Sequence, residues 1–193
     1  MRRQAFLPAA AVAVALVVVG CAPHASESPP IVSPASGNLP AGVDVAVRKV
    51  VDGDTIEVSD GERVRLIGVD SPETNAPNQP VGCFGADASR FTSSVLPPGT
   101  PVRLVGDVEQ RDRYGRLLAY VYRRSDGLFV NAELLRRGLA QVLTIPPNVA
   151  HTDEFAAIAR QAREGSQGLW AACTFLPSGR PGPASSSARV GAG

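Results

Sequence analysis

The stretch VVDGDTIEVSDGERVRLIGVDSPET, residues 50–74, decides how this chain is read. Val50, Val51, Ile56 and Val58 are strand-forming residues, and RVRLIGV, Arg63 to Val69, is a second run of the same kind. Between the two runs, SDGE (Ser59 to Glu62) carries the Asp-Gly signal of a hairpin turn. Asp52 and Asp54 do not fit the pattern, because aspartate is depleted from strands. Two acids around Gly53 are either turn chemistry or part of a site. With Asp60-Gly61 taken as a two-residue loop, Ile56 faces Arg65 and Asp54 faces Ile67. Asp54 and Arg65 are then diagonal neighbours on one face, about 7 to 8 Å apart at Cα. Asp70 and Glu73 lie just off the end of the return strand, with Pro72 setting the turn. Carboxylates from two strand ends, completed by carbonyls and water, form an all-oxygen donor set suited to a hard cation such as Ca²⁺. Arg65 beside them is placed to grip a phosphate through two N–H groups. Each residue also has a plainer reading: DGD as a turn, the acids as solvated, a lone strand arginine as surface.

Outward from this hairpin, Val45 to Val51 reads as a strand that TIEV continues. Cys83 to Leu96 has helical content and ends before Pro97-Pro98-Gly99. PVRLVGDVEQ (101–110) and GRLLAYVYRR (115–124) read as strands joined through RDRYG. Asn131 is expected to cap a short helix that stops at Gly138, and LAQVL (139–143) to form a last strand. Thr152 is expected to cap a helix with Phe155, Ile158, Ala159 and Ala162 on one face. Short, mostly antiparallel strands with few helices predict a small closed barrel with helices packed outside.

Both ends of the 193-residue chain lie outside that pattern. Arg2 and Arg3 precede a short apolar run, Ala9 to Val19, and VVGC places Gly20 before Cys21. Residues 1–20 therefore read as an export signal with a lipobox, and Cys21 as a lipid attachment point that tethers the protein to a membrane face. A plain signal peptide or an N-terminal anchor is the alternative. Residues 21–42 are a spacer rich in Pro, Ser, Ala and Gly, and 177–193 look alike, so both are expected to be disordered. The remaining domain, 43–176, carries 15 basic and 17 acidic residues, a net of about −2. It lacks the positive field of a strong non-specific DNA binder. Cys83 and Cys173 are an even pair in an exported domain, for which a disulfide is the default and two free thiols the alternative. Those cysteines with His24 and His151 do not give a zinc site of standard count and spacing.

Taken jointly, VVDGDTIEV, VRLIGVDSPET, CFGADASRF, DRYGRLLAYVY and GLAQV run in the order of the staphylococcal nuclease (thermonuclease) family, which residues 48–173 resemble. The resemblance implies an α+β, mainly β architecture: a five-stranded OB-fold barrel with three helices. It implies a Ca²⁺-dependent endonuclease that hydrolyses DNA and RNA at the 5′ oxygen and leaves 3′-phosphates. Carried over by motif, Asp54 and Asp70 are the metal-binding aspartates, with Ser71 supplying a main-chain carbonyl. Glu73 is the carboxylate base, and Arg65 and Arg116 are the two catalytic arginines. Tyr114, with Arg113 before it, lies near the bound phosphate. A single-stranded nucleic acid is the implied substrate and a monomer the expected state.

One stretch departs from the family. Where tyrosines often follow GLAxV, this chain has LTIPPN, Leu143 to Asn148. Stacking on an aromatic contributes about 1 to 3 kcal/mol per base, so weak nucleic-acid binding and a high KM are expected. Arg111, Asp112 and Arg113 either compensate or form a solvated loop. The competing functions are a catalytically silent OB-fold module that binds nucleic acid or a protein partner, and a surface lipoprotein using the barrel for structure or adhesion. The presence of Arg65, Glu73 and Arg116 together favours the enzyme.

Overall fold

The computed structural model describes residues 39–74 and 81–183. The expected leader, Cys21, the spacer up to residue 38 and the tail from 184 lie outside the described residues. The elements are β1 (Val43–Asp52), β2 (Thr55–Val58), β3 (Arg63–Leu66), β4 (Gly68–Asp70), α1 (Gly85–Val95), β5 (Pro101–Val105), β6 (Leu117–Arg123), α2 (Val130–Arg136), β7 (Gln141–Leu143), α3 (Thr152–Glu164) and α4 (Leu169–Ala172). β1, β2, β3, β6 and β5 close a five-stranded barrel in that order. All its pairings are antiparallel except β3 with β6. The barrel is as expected; the helices number four among the described residues, the last a single turn. LAQVL is not a barrel strand, because β7 pairs only with β4 in a separate two-stranded sheet.

Small and branched apolar residues fill the barrel: Val47, Ile56, Val64, Leu66, Val102 and Val121 are all fully buried. α3 turns Phe155, Ala159 and Ala162 inward, as its periodicity predicts. Thr152 does not cap it; Thr152 is its first helical residue, and no side chain bonds the helix start. Asn131 is likewise no cap. It lies inside α2, wholly buried, where its Oδ1 accepts from Val121 N–H at 2.9 Å and its Nδ2 donates to the Ile67 carbonyl at 2.9 Å. A polar residue in the core is tolerated because it satisfies two main-chain groups that β6 and the Ile67 bend leave open.

The hairpin register differs from the sequence expectation by one residue. Thr55 faces Arg65 and Ile56 faces Val64. The loop has three residues, not two: Gly61 N–H donates to Val58 O, and Val58 N–H to Glu62 O. Gly61 takes φ +88°, the bulge position that such a loop requires.

The two cysteines form a disulfide, with Cα atoms 5.9 Å apart, that ties the entry of α1 to the end of α4. The domain also extends past its expected end at 176. Residues 174–183 double back as a short hairpin, with Gly182 O accepting from Cys83 N–H and Gly182 N–H donating to Thr174 O. The first seven residues of the expected tail, 177–183, thus belong to the folded unit.

Candidate active site

Gly53 is the pivot of the DGD turn. A Cβ there would stand 2.7 Å from Ala88 Cβ and from Ser71 Oγ, so only glycine fits between α1 and the end of β4. Thr92 of α1 donates to the Gly53 carbonyl at 2.7 Å and pins the turn from above. Asp52 supports the same turn through Oδ1, which accepts from Asp54 N–H at 3.2 Å. Asp54 is therefore delivered by a bend and not by strand alternation. That is why it meets Arg65 although the observed register does not put the two on one face.

The Asp54 carboxylate is buried, at 5% exposure, and fully engaged. Its Oδ2 accepts from both Ser71 N–H (2.6 Å) and Ser71 Oγ–H (2.9 Å). Its Oδ1 accepts from Thr55 Oγ1 at 3.1 Å and lies 3.3 Å from Arg65 Nε. Arg65 then reaches Asp70 Oδ1 at 3.0 Å, and its third nitrogen donates to the Leu66 and Val69 carbonyls at 2.8 and 2.6 Å. Gly68, with φ +79°, makes the bend that turns Val69 and Asp70 back toward Arg65. Arg65 is thus not a free fork awaiting an anion; it bridges two acids and two carbonyls.

Two acids in this corner are hard to ionise, chiefly because they are buried. Burial, then the negative charge of Asp54, pushes the Asp52 carboxyl up to about 6. Burial also raises Asp70, against the pull of Arg65 and with the push of Asp54. Arg65, with the more distant Arg180, only partly offsets the burial of Asp70. The donor set is hard oxygen throughout, which fits Ca²⁺ or Mg²⁺ and not a thiolate- or imidazole-seeking metal. Among the described residues no three His, Cys, Asp or Glu side chains converge to hold a metal alone. Any ion here takes further oxygens from main chain, water or substrate.

A cleft of about 440 Å³ opens beside Arg65 and has Arg116 on its wall. Arg116 belongs to the turn before β6, and Asp112 holds it: Arg116 Nε lies 2.6 Å from Asp112 Oδ2, and Arg116 N–H donates to Asp112 Oδ1. Burial opposes ionisation of Asp112, but the bonds from Arg116 and from the Arg116 and Tyr114 amides outweigh it and hold the carboxyl below its usual value. Asp112 is thus the positioner of Arg116, a role that the sequence reading left open as a solvated loop. Arg113 donates to Tyr114 Oη at 2.6 Å, and both Arg113 and Arg116 lie over the Tyr114 ring at 4.8 and 5.5 Å. The far wall comes from Leu143, Ile145 and Asn148. Asn148 clamps that wall to the loop after β5 by bonding both main-chain groups of Glu109.

Glu73 is exposed and lines a neighbouring cleft with Asp70, Ser71 and Arg180. The expected residues therefore fall into two groups joined at Arg65 and Asp70. Arg65, Arg116, Arg113 and Tyr114 face one cleft; Asp70, Ser71 and Glu73 face the other. Arg180 and Asn148 were not anticipated. Arg180 sits in what reads as a low-complexity tail, so nothing local in the sequence marks it.

Comparison with known proteins identifies the family. The family model "Staphylococcal nuclease homologue" matches residues 63–172, a span that includes Arg65, Asp70, Glu73 and Arg116. A thermonuclease of Staphylococcus intermedius is 46% identical over 129 residues, 65% of this chain and 73% of that protein. A thermonuclease of Staphylococcus hyicus is 36% identical over 162 residues, 82% of this chain and 94% of its own length. Endonuclease YncB of Bacillus subtilis is 36% identical over 148 residues, 75% of this chain and 69% of the relative. With the barrel, the arginine-bridged acids and these matches in agreement, the chain belongs to the staphylococcal nuclease family.

Proposed function

We propose that this protein is an exported, calcium-dependent nuclease that hydrolyses DNA and RNA at the 5′ oxygen and leaves 3′-phosphates. The observation that carries the reading is Arg65, whose guanidinium spans Asp54 and Asp70 and faces the cleft that Arg116 also lines. The thermonuclease and endonuclease relatives support phosphodiester hydrolysis as the reaction class.

Asp54, Asp70 and the Ser71 carbonyl would hold the calcium ion, with water and substrate completing the oxygen set. When bound, it supplies positive charge to a non-bridging phosphate oxygen and orients the ester. Ser71 fixes Asp54 by donating to one oxygen twice. Arg65 and Arg116 donate paired N–H bonds to the remaining phosphate oxygens as charge gathers on five-coordinate phosphorus. For that, Arg65 exchanges part of its bonding to Asp70 and the carbonyls for the phosphate. Glu73 takes a proton from the attacking water. The water oxygen bonds to phosphorus, the bond from phosphorus to the 5′ oxygen breaks, and solvent protonates that oxygen. The products are a 3′-phosphate and a 5′-hydroxyl. Arg113 and Tyr114 hold the nucleotide on the open side of the cleft. Leu143 and Ile145, lining the wall instead of tyrosines, support modest affinity for the strand.

The leader and VVGC support export and acylation of Cys21, with the monomeric domain held at an extracytoplasmic membrane face by the acyl chains. No helix among the described residues is long and apolar enough to cross a membrane.

The test is cleavage of single-stranded DNA with Ca²⁺ or with EGTA, beside the Glu73→Gln variant and with the product ends analysed. Expected are cleavage only with calcium, 3′-phosphate ends, and strongly reduced turnover in Glu73→Gln. Cleavage that survives chelation removes calcium from the mechanism. No cleavage in any arm leaves the silent OB-fold module as the reading.

A further inference from the structure

The hairpin 174–183 is built with more care than a tail needs. Its turn repeats the one at the β2–β3 hairpin: Leu176 N–H donates to Arg180 O, Gly179 N–H to Leu176 O, and Gly179 takes φ +77°. The disulfide anchors its base, Trp170 stacks on Phe175 with ring centroids 5.0 Å apart, and Gln141 of β7 donates to the Gly179 carbonyl. In TFLPSGRPGP, residues 174–183, Arg180 is the single charged residue. The hairpin sets that charge on the wall of a cleft of about 330 Å³ that also contains Asp70 and Glu73.

Structural pairing does not account for Arg180. Its nearest acid oxygen, Asp70 Oδ2, is 3.9 Å away, and the side chain is 71% exposed. An exposed pair at that separation contributes little to stability. Asp70 instead serves as a ruler: Arg65 meets one of its oxygens at 3.0 Å and Arg180 approaches the other. Two guanidinium groups on either side of one carboxylate lie within a nucleotide's reach of each other. In a domain of net negative charge, a cation held there has a strand of phosphates as its fitting ligand.

We propose that Arg180 is a substrate-binding residue that grips the phosphate next to the scissile one, so that the disulfide-anchored hairpin extends the binding path beyond the Arg65–Arg116 cleft. The proposal rests on the nuclease reading for what the strand is. It explains how a chain without the usual tyrosines and without a basic surface holds a polymer.

The experiment measures binding of a labelled single-stranded oligonucleotide by anisotropy, in chelator, across a salt series. Arg180→Ala should lower the slope of log affinity against log salt by about 0.7, the value of one lost phosphate contact on a single strand. Arg180→Lys should restore the slope, since the contact is electrostatic. A dinucleotide, which has a single phosphate, should bind Arg180→Ala as well as it binds the parent. An unchanged slope, or an equal loss on the dinucleotide, overturns the proposal. A protein that shows the slope change yet cleaves nothing with calcium overturns the nuclease reading and keeps the Arg180 contact. One that cleaves while the slope stays unchanged does the reverse.

Discussion

Arg65 and Arg116 face one cleft but are held by different kinds of structure. Arg65 lies in a barrel strand, its side chain 12% exposed, and its three nitrogens meet two carboxylates and two main-chain carbonyls. Arg116 lies in a turn at 30% exposure, and one carboxylate, Asp112, sets its direction. The first is positioned by the fold and helps hold the fold together, because it offsets acids that burial would otherwise make costly. The second is positioned locally, by an acid of its own turn. In the proposed mechanism, one phosphate-binding cation is held by the barrel and the other by its own turn.

That contrast predicts separable losses. Arg65→Ala should lower kcat on single-stranded DNA by about 10²- to 10³-fold, the usual cost of a lost transition-state donor. It should also cost roughly 3 kcal/mol of stability, because the buried Asp54 loses its counter-charge. Arg116→Ala should show a kinetic loss of the same order with a much smaller fall in the thermal midpoint, since only the partly exposed Asp112 loses a partner. Equal midpoints for the two variants in calorimetry would break the comparison.

The glycines of the two regions sharpen it. Gly53→Ala should cost about 1 to 3 kcal/mol in urea unfolding and displace Asp54, because its Cβ would press on Ala88 and Ser71. Gly115→Ala, at φ +81° with no neighbour within 4 Å, meets only the backbone penalty of about 1 kcal/mol. A larger loss at Gly115 would mean the loop is packed as tightly as the turn.

On the open side, Tyr114→Ala should weaken strand binding by about 1 to 3 kcal/mol while leaving the melting curve in place. A shift of that curve would move Tyr114 into the group of residues that hold the fold. The smallest effect concerns Asp112. Its carboxyl is held below its ordinary value, so its contribution to stability is present at neutral pH and is lost as pH falls through its lowered folded value. The stability gap between the parent and Asp112→Asn should therefore narrow from pH 7 to pH 3. A gap that is constant with pH would show that Asp112 acts only through neutral hydrogen bonds.

The sequence by itself determined the barrel and the chemistry. Alternating apolar runs, an Asp-Gly turn and a helix with Phe155, Ala159 and Ala162 on one face are local signals, and local signals survive in the linear order. So do the residue types from which the proposed phosphate and hard-cation site is read: Asp54, Arg65, Asp70 and Glu73 from their spacing, and Arg116 from the family resemblance. Only the tertiary structure decided the register of the hairpin, because a single bulged glycine shifts every pairing by one residue and leaves no mark in composition. It also decided that Asn131 serves the core and not a helix end, since its partners, Val121 and Ile67, come from other elements. It brought Arg180 to Asp70 across 110 residues, through a disulfide and a hairpin whose sequence looks like linker. The physical reason is common to all three: contacts between distant segments depend on how strands pair and how helices dock, and those choices are made by the whole core at once.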